Sequence, residues 1–234
     1  TTEVSRCLEW AATHSIPVVA QGGNTGLVGG GVPPSDGNTA IVLSTTRLVG
    51  IGSVDEVAGQ ITVEAGVTLA SLEAHLVGSG WQFAVDLGAR DSATIGGMIA
   101  TNAGGTRVLR YGSMRANVLG VEAVLADGRI ISRMTGLVKD NTGYDLTGLL
   151  VGSEGTLGVV TKVLLKLIPK PQAKKTMVAT YNSLDQAAQT VSDIIAAQII
   201  PCTLEFLDRT TIHCVEDYAK IGLPLDCEAL LLME

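Results

Sequence analysis

The chain of 234 residues has no run of about 18 uninterrupted apolar residues and no basic-then-apolar leader, so neither a membrane span nor a signal peptide is expected and a cytoplasmic location is. It has no CxxC pair. Cys7, Cys202, Cys214 and Cys227 are scattered, which suits free buried thiols in a reducing compartment better than a disulfide frame or a zinc site. His14, His75 and His213 are equally isolated and read as surface or helix-packing residues, so no metal site is expected within the chain. There is no excess of positive charge either: the net charge of −7 argues against a nucleic-acid partner, which would call for a basic face.

Glycine is what the chain has in excess. It supplies 28 of 234 residues against a typical share of about 7%, and these residues gather at 22–31, 96–105 and 152–158. A hydrophobic share of 46% supports a real core, so the clustering asks for another explanation. The first cluster lies in "VVAQGGNTGLVGGGVPP", residues 18–34, and between Trp10 and Ser35 there is no Lys, Arg, Asp or Glu. Gly22, Gly23 and Gly26 are expected at positive φ, letting N–H groups converge without Cβ atoms in the way. An anion held there would rest on backbone dipoles and on the side chains of Asn24 and Thr25.

Periodicity sets the frame around these clusters. Val4, Cys7, Leu8, Ala11 and Ala12 repeat at helical spacing, so residues 2–14 form an amphipathic helix feeding the strand "IPVVAQ". "TAIVLST" (39–45) and "GQITVEAGV" (59–67) read as strands, and "TLASLEAHLVGSG" (68–80) as a helix closed by Gly78 or Gly80. Asp127-Gly128 between two β-rich runs marks a hairpin over 118–132. "LGVVTKVLLKLIP" (157–169) is a further long strand, and "PKPQAKK" (169–175) breaks the pattern as a crossing between domains would. Beyond it strand, helix, strand, helix and strand follow in turn. The expectation is a first domain over 1–170 and the start of a second over 171–234.

Familiar phosphate motifs do not account for the first loop. No Gly-Lys-Ser/Thr follows at P-loop spacing, and Gly22, Gly23 and Gly26 do not fit GxGxxG with its acidic partner downstream. A glycine-rich turn without a ligand is the plain alternative. Against it stand two more clusters, in "DLGARDSATIGGMIATNAGG" (86–105) and "LLVGSEGTLGVVT" (149–161). Interior glycine costs about 0.5–1 kcal/mol against alanine, and one long ligand touching all three segments would explain why it recurs.

With "PVVAQGGNTGLVGG", "RYGS" and "KDNTGYDL" added to these two, the chain resembles the FAD-binding domain of the vanillyl-alcohol-oxidase type, in the branch of D-2-hydroxyacid dehydrogenases that includes D-lactate and D-2-hydroxyglutarate dehydrogenases and the flavin subunit of glycolate oxidase. The resemblance covers residues 1–170 and continues more weakly through "LEFLDR" at 204–209. It implies an α+β fold in which two small subdomains hold FAD between them, followed by the start of an α+β substrate domain. It implies that Gly22, Gly23, Asn24, Thr25, Gly26 and Leu27 cradle the pyrophosphate. Asp86, Gly88, Ser92, Ile95, Gly96, Gly97, Asn102 and Gly104 would line the flavin and its ribityl chain, and Glu154, Gly158, Val159 and Val160 would approach from the third segment. The usual covalent attachment site in the first loop is Asn24 here, and no His or Cys lies between His75 and Cys202, so FAD is expected to be non-covalent.

The activity implied is oxidation of a D-2-hydroxy acid (glycolate, D-lactate or D-2-hydroxyglutarate) to the 2-oxo acid, with hydride passing to FAD and a base taking the hydroxyl proton. The partners implied are that small acid, an unspecified electron acceptor, and a second copy or partner subunits. In the resembling dehydrogenases the catalytic histidine and a divalent metal site lie beyond the last residue here. His213 matches neither, and no catalytic residue is carried over. Arg107, Arg110 and Arg115 could bind a substrate carboxylate but read more simply as solvated or ion-paired. Asn141, Gly143 and Asp145 serve as turn residues, and Tyr144 as a packed side chain. Two other readings remain: a non-catalytic flavin-fold subunit of a dehydrogenase complex, and a sugar or aldonolactone oxidoreductase on the same scaffold.

Overall fold

A computed structural model describes residues 1–35, 37 and 39–234. These fall into two compact units, the first of 1–105 with 112–170 and the second of 106–111 with 171–234.

The first unit opens with α1 (Thr2–Thr13), whose buried Val4, Leu8 and Ala11 recur at the spacing that places them on one face. It feeds β1 (Val18–Gln21), which pairs in parallel with β2 (Ile41–Ser44). Val4 and Leu8 pack with Val124 and Val159 and against Val18, Ala20 and Leu43, a small core under this strand pair. Then follow β3 (Gln60–Glu64), α2 (Leu69–Leu76), β4 (Trp81–Phe83), α3 (Ile95–Ala100), α4 (Val108–Tyr111), which groups with the second unit, and α5 (Met114–Asn117). The unit closes with β5 (Val118–Val124), β6 (Ile130–Arg133), α6 (Leu146–Leu150) and β7 (Val159–Pro169). In the larger sheet the order is β3-β7-β5-β6, all antiparallel, with β4 on the far end of β7. β7 is buried along most of its length because it pairs on both edges and carries the main core, where Ile61, Leu69, Phe83, Ile95, Ile99 and Leu165 are almost fully enclosed.

The expected helix at 2–14, the strands and the hairpin are all present. Gly128 sits at φ 86° in the β5–β6 turn, and Gly78 and Gly80 both adopt positive φ after α2. The structure adds β4 and the four short helices α3 to α6, too short to register as a periodicity. One reading needs correction. Within the first glycine loop, positive φ falls on Asn24 (φ 51°) and Gly29 (φ 76°), and not on Gly22, Gly23 or Gly26. Asn tolerates the left-handed region because its short amide can bond locally.

In the second unit β8 (Met177–Tyr181), α7 (Leu184–Ala196), β9 (Leu204–Asp208), α8 (Arg209–Ala219) and β10 (Ala229–Met233) alternate. β10 lies between β8 and β9, antiparallel to both. Ser183 and Asp208 cap α7 and α8 by accepting the N–H groups of Gln186 and Thr211. Ile212, Cys227 and Leu230 form the core. All four cysteines are free, but only Cys227 is buried and Cys214 is exposed, so the expectation of buried thiols holds for one position.

Candidate functional site

The three glycine clusters converge. A cleft of about 180 Å³ in the first unit is lined by the loop after β1, by residues 93–103 around α3, and by residues 153–160 leading into β7. Of the expected positions, Gly22, Gly23, Asn24, Thr25, Gly26, Gly96, Gly97, Glu154, Gly158, Val159 and Val160 form its wall.

Each glycine of the wall has its own physical reason. A Cβ on Gly23 would stand 1.7 Å from the carbonyl oxygen of Ser92, and one on Gly22 would stand 2.2 Å from Thr94 Oγ1. The loop therefore lies directly against residues 92–94, closer than any side chain allows. Gly96 meets Ala65 in the same way, its added Cβ falling 2.7 Å from the alanine Cβ, which lets α3 rest on the end of β3. Gly26 differs: nothing lies within 4 Å of its missing Cβ, so it opens toward free space. Gln21 Nε2 donates to the Gly31 carbonyl at 2.7 Å and ties the two ends of the loop together.

The electrostatics follow from what is absent and what is free. Glu154 is the only charged residue among the described lining residues; it is held at φ 51°, and its N–H donates to the Ala100 carbonyl at 2.8 Å. Its Oε2 reaches to within 3.7 Å of where a Cβ on Gly30 would be, so the third segment closes on the first. The backbone N–H groups of Gly22, Gly23, Asn24, Thr25, Gly26 and Leu27 donate to no acceptor among the described residues. The start of α3 offers no such donors: Ile95 and Gly96 bond the Val67 and Ala65 carbonyls at 2.8 Å each, and Gly97 bonds its cap Thr94 Oγ1 at 3.2 Å. Of these two segments it is the first loop that carries unbonded amides, while α3 presents glycine surface and Met98.

Seven expected positions stand outside the wall. Leu27 projects fully into solvent and its neighbour Val28 lines the cleft instead. Asp86 is buried and bonds Arg90 at 2.6 Å. Gly88 and Ser92 are exposed, although the Ser92 backbone is what the first loop rests on. Ile95 belongs to the core. Asn102, at φ 49°, accepts from Ser113 Oγ and the Arg115 N–H at 2.9 Å each, and so joins the end of α3 to α5. Gly104 is half-buried nearby. Sequence reasoning missed Gln21, Thr45, Thr94 and Met98, for which no spacing or residue type gave a signal.

The three arginines behave differently from one another. Arg115 donates to the carbonyls of Gly148 and Val151, Arg110 lies 5.8 Å from the Tyr111 ring centre, and Arg107 acts on the Glu234 carboxylate. None of them lines the cleft. Tyr144, expected to be packed, is 90% exposed. His213 leaves Nε2 buried without a partner in the second unit. Among the described residues no three His, Cys, Asp or Glu side chains form a group able to hold a metal, and no helix is long and apolar enough to cross a membrane.

Residues 1–133 match the family described as FAD binding domain, and residues 170–234 match that described as FAD linked oxidases, C-terminal domain. The chain is 48% identical over its full length to glycolate oxidase subunit GlcD of Bacillus subtilis, covering 49% of that protein. It is 40% identical to D-2-hydroxyglutarate dehydrogenase, mitochondrial, of Danio rerio, with 100% of the chain and 44% of the relative covered. It is 43% identical to D-lactate dehydrogenase of Archaeoglobus fulgidus, with 99% and 51% covered. The chain thus spans about half the length of these relatives. Among solved structures, an alkyldihydroxyacetonephosphate synthase superposes with a TM-score of 0.83 at 20% identity, over 99% of this chain and 44% of that one, which shows a shared fold.

Proposed function

We propose, from the premise that the chain belongs to the FAD binding domain family, that its glycine cleft holds FAD and that the whole protein oxidises a D-2-hydroxy acid of the glycolate, D-lactate or D-2-hydroxyglutarate type. One observation carries this reading: three segments distant in sequence meet in one cleft whose described wall has a single charge, Glu154, and whose first loop brings to that wall five residues, 22–26, with amide N–H groups that have no protein acceptor among the described residues.

The residues fit the cofactor. The amides of 22–26, with the side chains of Asn24 and Thr25, supply donors for a pyrophosphate without a cation, as converging N–H groups can. Val159, Val160, Met98 and Ala103 give the remaining wall an apolar surface against which an aromatic ring system can pack. The Glu154 carboxylate would repel phosphate and accept hydrogen bonds, which assigns its end of the cleft to hydroxyl or N–H groups of the ligand. No His or Cys lines the described wall, so the attachment is non-covalent. Bound FAD would supply the two-electron acceptor for oxidation at the hydroxyl-bearing carbon. What this chain contributes is binding, orientation and exclusion of water from the cleft. We assign residues 1–170 as the FAD-binding domain and 171–234 as the beginning of the substrate domain, and we carry no catalytic base, substrate clamp or metal ligand onto residues of this chain. The word "subunit" in the name of the Bacillus subtilis relative supports partner subunits, and a cytoplasmic location belongs to the same proposal.

The test is the visible spectrum of the purified full-length protein, followed by acid precipitation. A yellow protein that releases FAD into the supernatant, and whose colour bleaches with a D-2-hydroxy acid, is expected. A colourless protein that refuses added FAD would overturn the reading and leave a non-catalytic flavin-fold subunit; colour retained in the pellet would overturn non-covalent attachment.

A further inference from the structure

A second cavity, of about 370 Å³, opens in the first unit between the start of β5, the end of β6 and the loop that leads into α6. It shares no described lining residue with the glycine cleft. Its charge is of the opposite kind. Arg115, Arg133 and Lys139 line it together with Asp140 and Asp145, three cations and two carboxylates.

Asp140 is ion-paired within the wall, and Asp145 is held in place by a neutral amide. Asp140 accepts the Thr142 N–H at 2.9 Å and Arg133 at 3.0 Å; the hydrogen bonds from Thr142, aided by the charge of Arg133, hold its carboxyl below the usual aspartate range. Asp145 caps α6 by accepting the Gly148 N–H at 2.8 Å. Arg115 is anchored by the carbonyls of Gly148 and Val151, which are neutral and leave its charge uncancelled. Lys139 has no carboxylate within ion-pair distance among the described residues. Tyr144, Thr147 and the exposed side chains of Leu137 and Val138 also line the cavity.

We propose that this cavity is a second ligand site, for the oxyanion of a small molecule, either a carboxylate or a phosphate group. Lys139 supplies the mobile cation, Arg115 supplies a fixed positive charge, and Tyr144 supplies a hydroxyl donor. Leu137 and Val138 offer contact to a short carbon skeleton, which favours an organic acid over a bare inorganic ion. The site does not depend on the flavin reading, because none of its residues takes part in the cleft.

The experiment is titration of the purified protein, with whatever cofactor it carries, by malonate and separately by inorganic phosphate. Ionic strength is held constant with chloride, and amide chemical shifts and heats of binding are recorded. Saturable binding is expected for at least one probe, with shifts confined to residues 115–119 and 133–148. Saturation by malonate alone identifies a carboxylate site, and by phosphate alone a phosphate site. Lys139→Glu should weaken binding at least tenfold and Lys139→Gln less, while Lys166→Glu, the same charge change at an exposed position of β7, should leave it unchanged. Failure of both probes to saturate would overturn the proposal, as would equal weakening by Lys166→Glu, which would reduce the effect to net charge.

Discussion

At the scale of the residue, two glycines of one loop do opposite jobs and make a discriminating pair. Gly23→Ala places a Cβ 1.7 Å from the Ser92 carbonyl oxygen, so the loop or the 92–94 backbone must move. Such overpacking costs about 1–3 kcal/mol. Both a lower thermal midpoint and weaker FAD retention are expected, measured by calorimetry and by flavin released on dialysis. Gly26→Ala meets nothing within 4 Å, so stability should stay within about 0.5 kcal/mol of the parent. If the pyrophosphate passes over this loop, FAD affinity alone falls. An alanine at 26 that leaves FAD affinity unchanged would remove the pyrophosphate from this position. The sequence showed that glycine was required at 22 and 23 but suggested the wrong cause, because a close approach between two distant segments and a left-handed backbone leave the same mark in a sequence.

At the scale of the element, α3 is the clearest case of structure hidden by composition. Its sequence "IGGMIA" carries two of the residues least favourable to a helix, and no helical periodicity marks it. The helix forms because Thr94 caps it, Ile95, Met98 and Ile99 bury themselves in the core, and Gly96 permits contact with Ala65. Thr94→Ala removes the acceptor for the Gly97 N–H and should cost about 1 kcal/mol. That corresponds to roughly 2–4 °C in Tm for a chain of this size, readable in a thermal melt.

In the second unit the end of α8 depends on one carboxylate. Glu216 accepts the N–H groups of Ile221, Gly222 and Leu223 at 3.1, 2.9 and 2.8 Å, and those bonds, from Leu223 first, hold its carboxyl below the usual glutamate range. Asp208 at the other end of the helix is lowered likewise by its hydrogen bonds from Thr211. A depressed folded pKa means that the stabilisation is fully present above the unfolded value, about pH 4. It is lost as pH falls further, through the folded values. Glu216→Gln should therefore be less stable than the parent at pH 6 and draw level with it toward pH 3, as followed by helix signal in acid titration.

At the scale of the whole molecule, two compact units divide the work. The glycine cleft and the cationic cavity are both built within the first. Residues 170–176 are exposed and without regular structure, so limited trypsin treatment is expected to cut after Lys175. Because every described residue of the cleft wall precedes that point, the nicked protein should keep its flavin colour, checked by spectrum and mass after proteolysis. Loss of colour with the nick would mean that FAD retention needs the second unit.

What the sequence determined by itself was the set of strands and long helices, whose periodicities of two and about 3.6 record which faces are buried. It also showed glycine gathered in three segments, the first of them without any charged residue. Tertiary structure alone decided which side of each glycine is crowded and which is open. It decided that Ile95, Asp86 and Asn102 serve the packing around the cleft and stand outside its wall. It also brought Arg115, Arg133 and Lys139 to one cavity. Those facts depend on distances between segments tens of residues apart, and local spacing along a chain carries no measure of such distances.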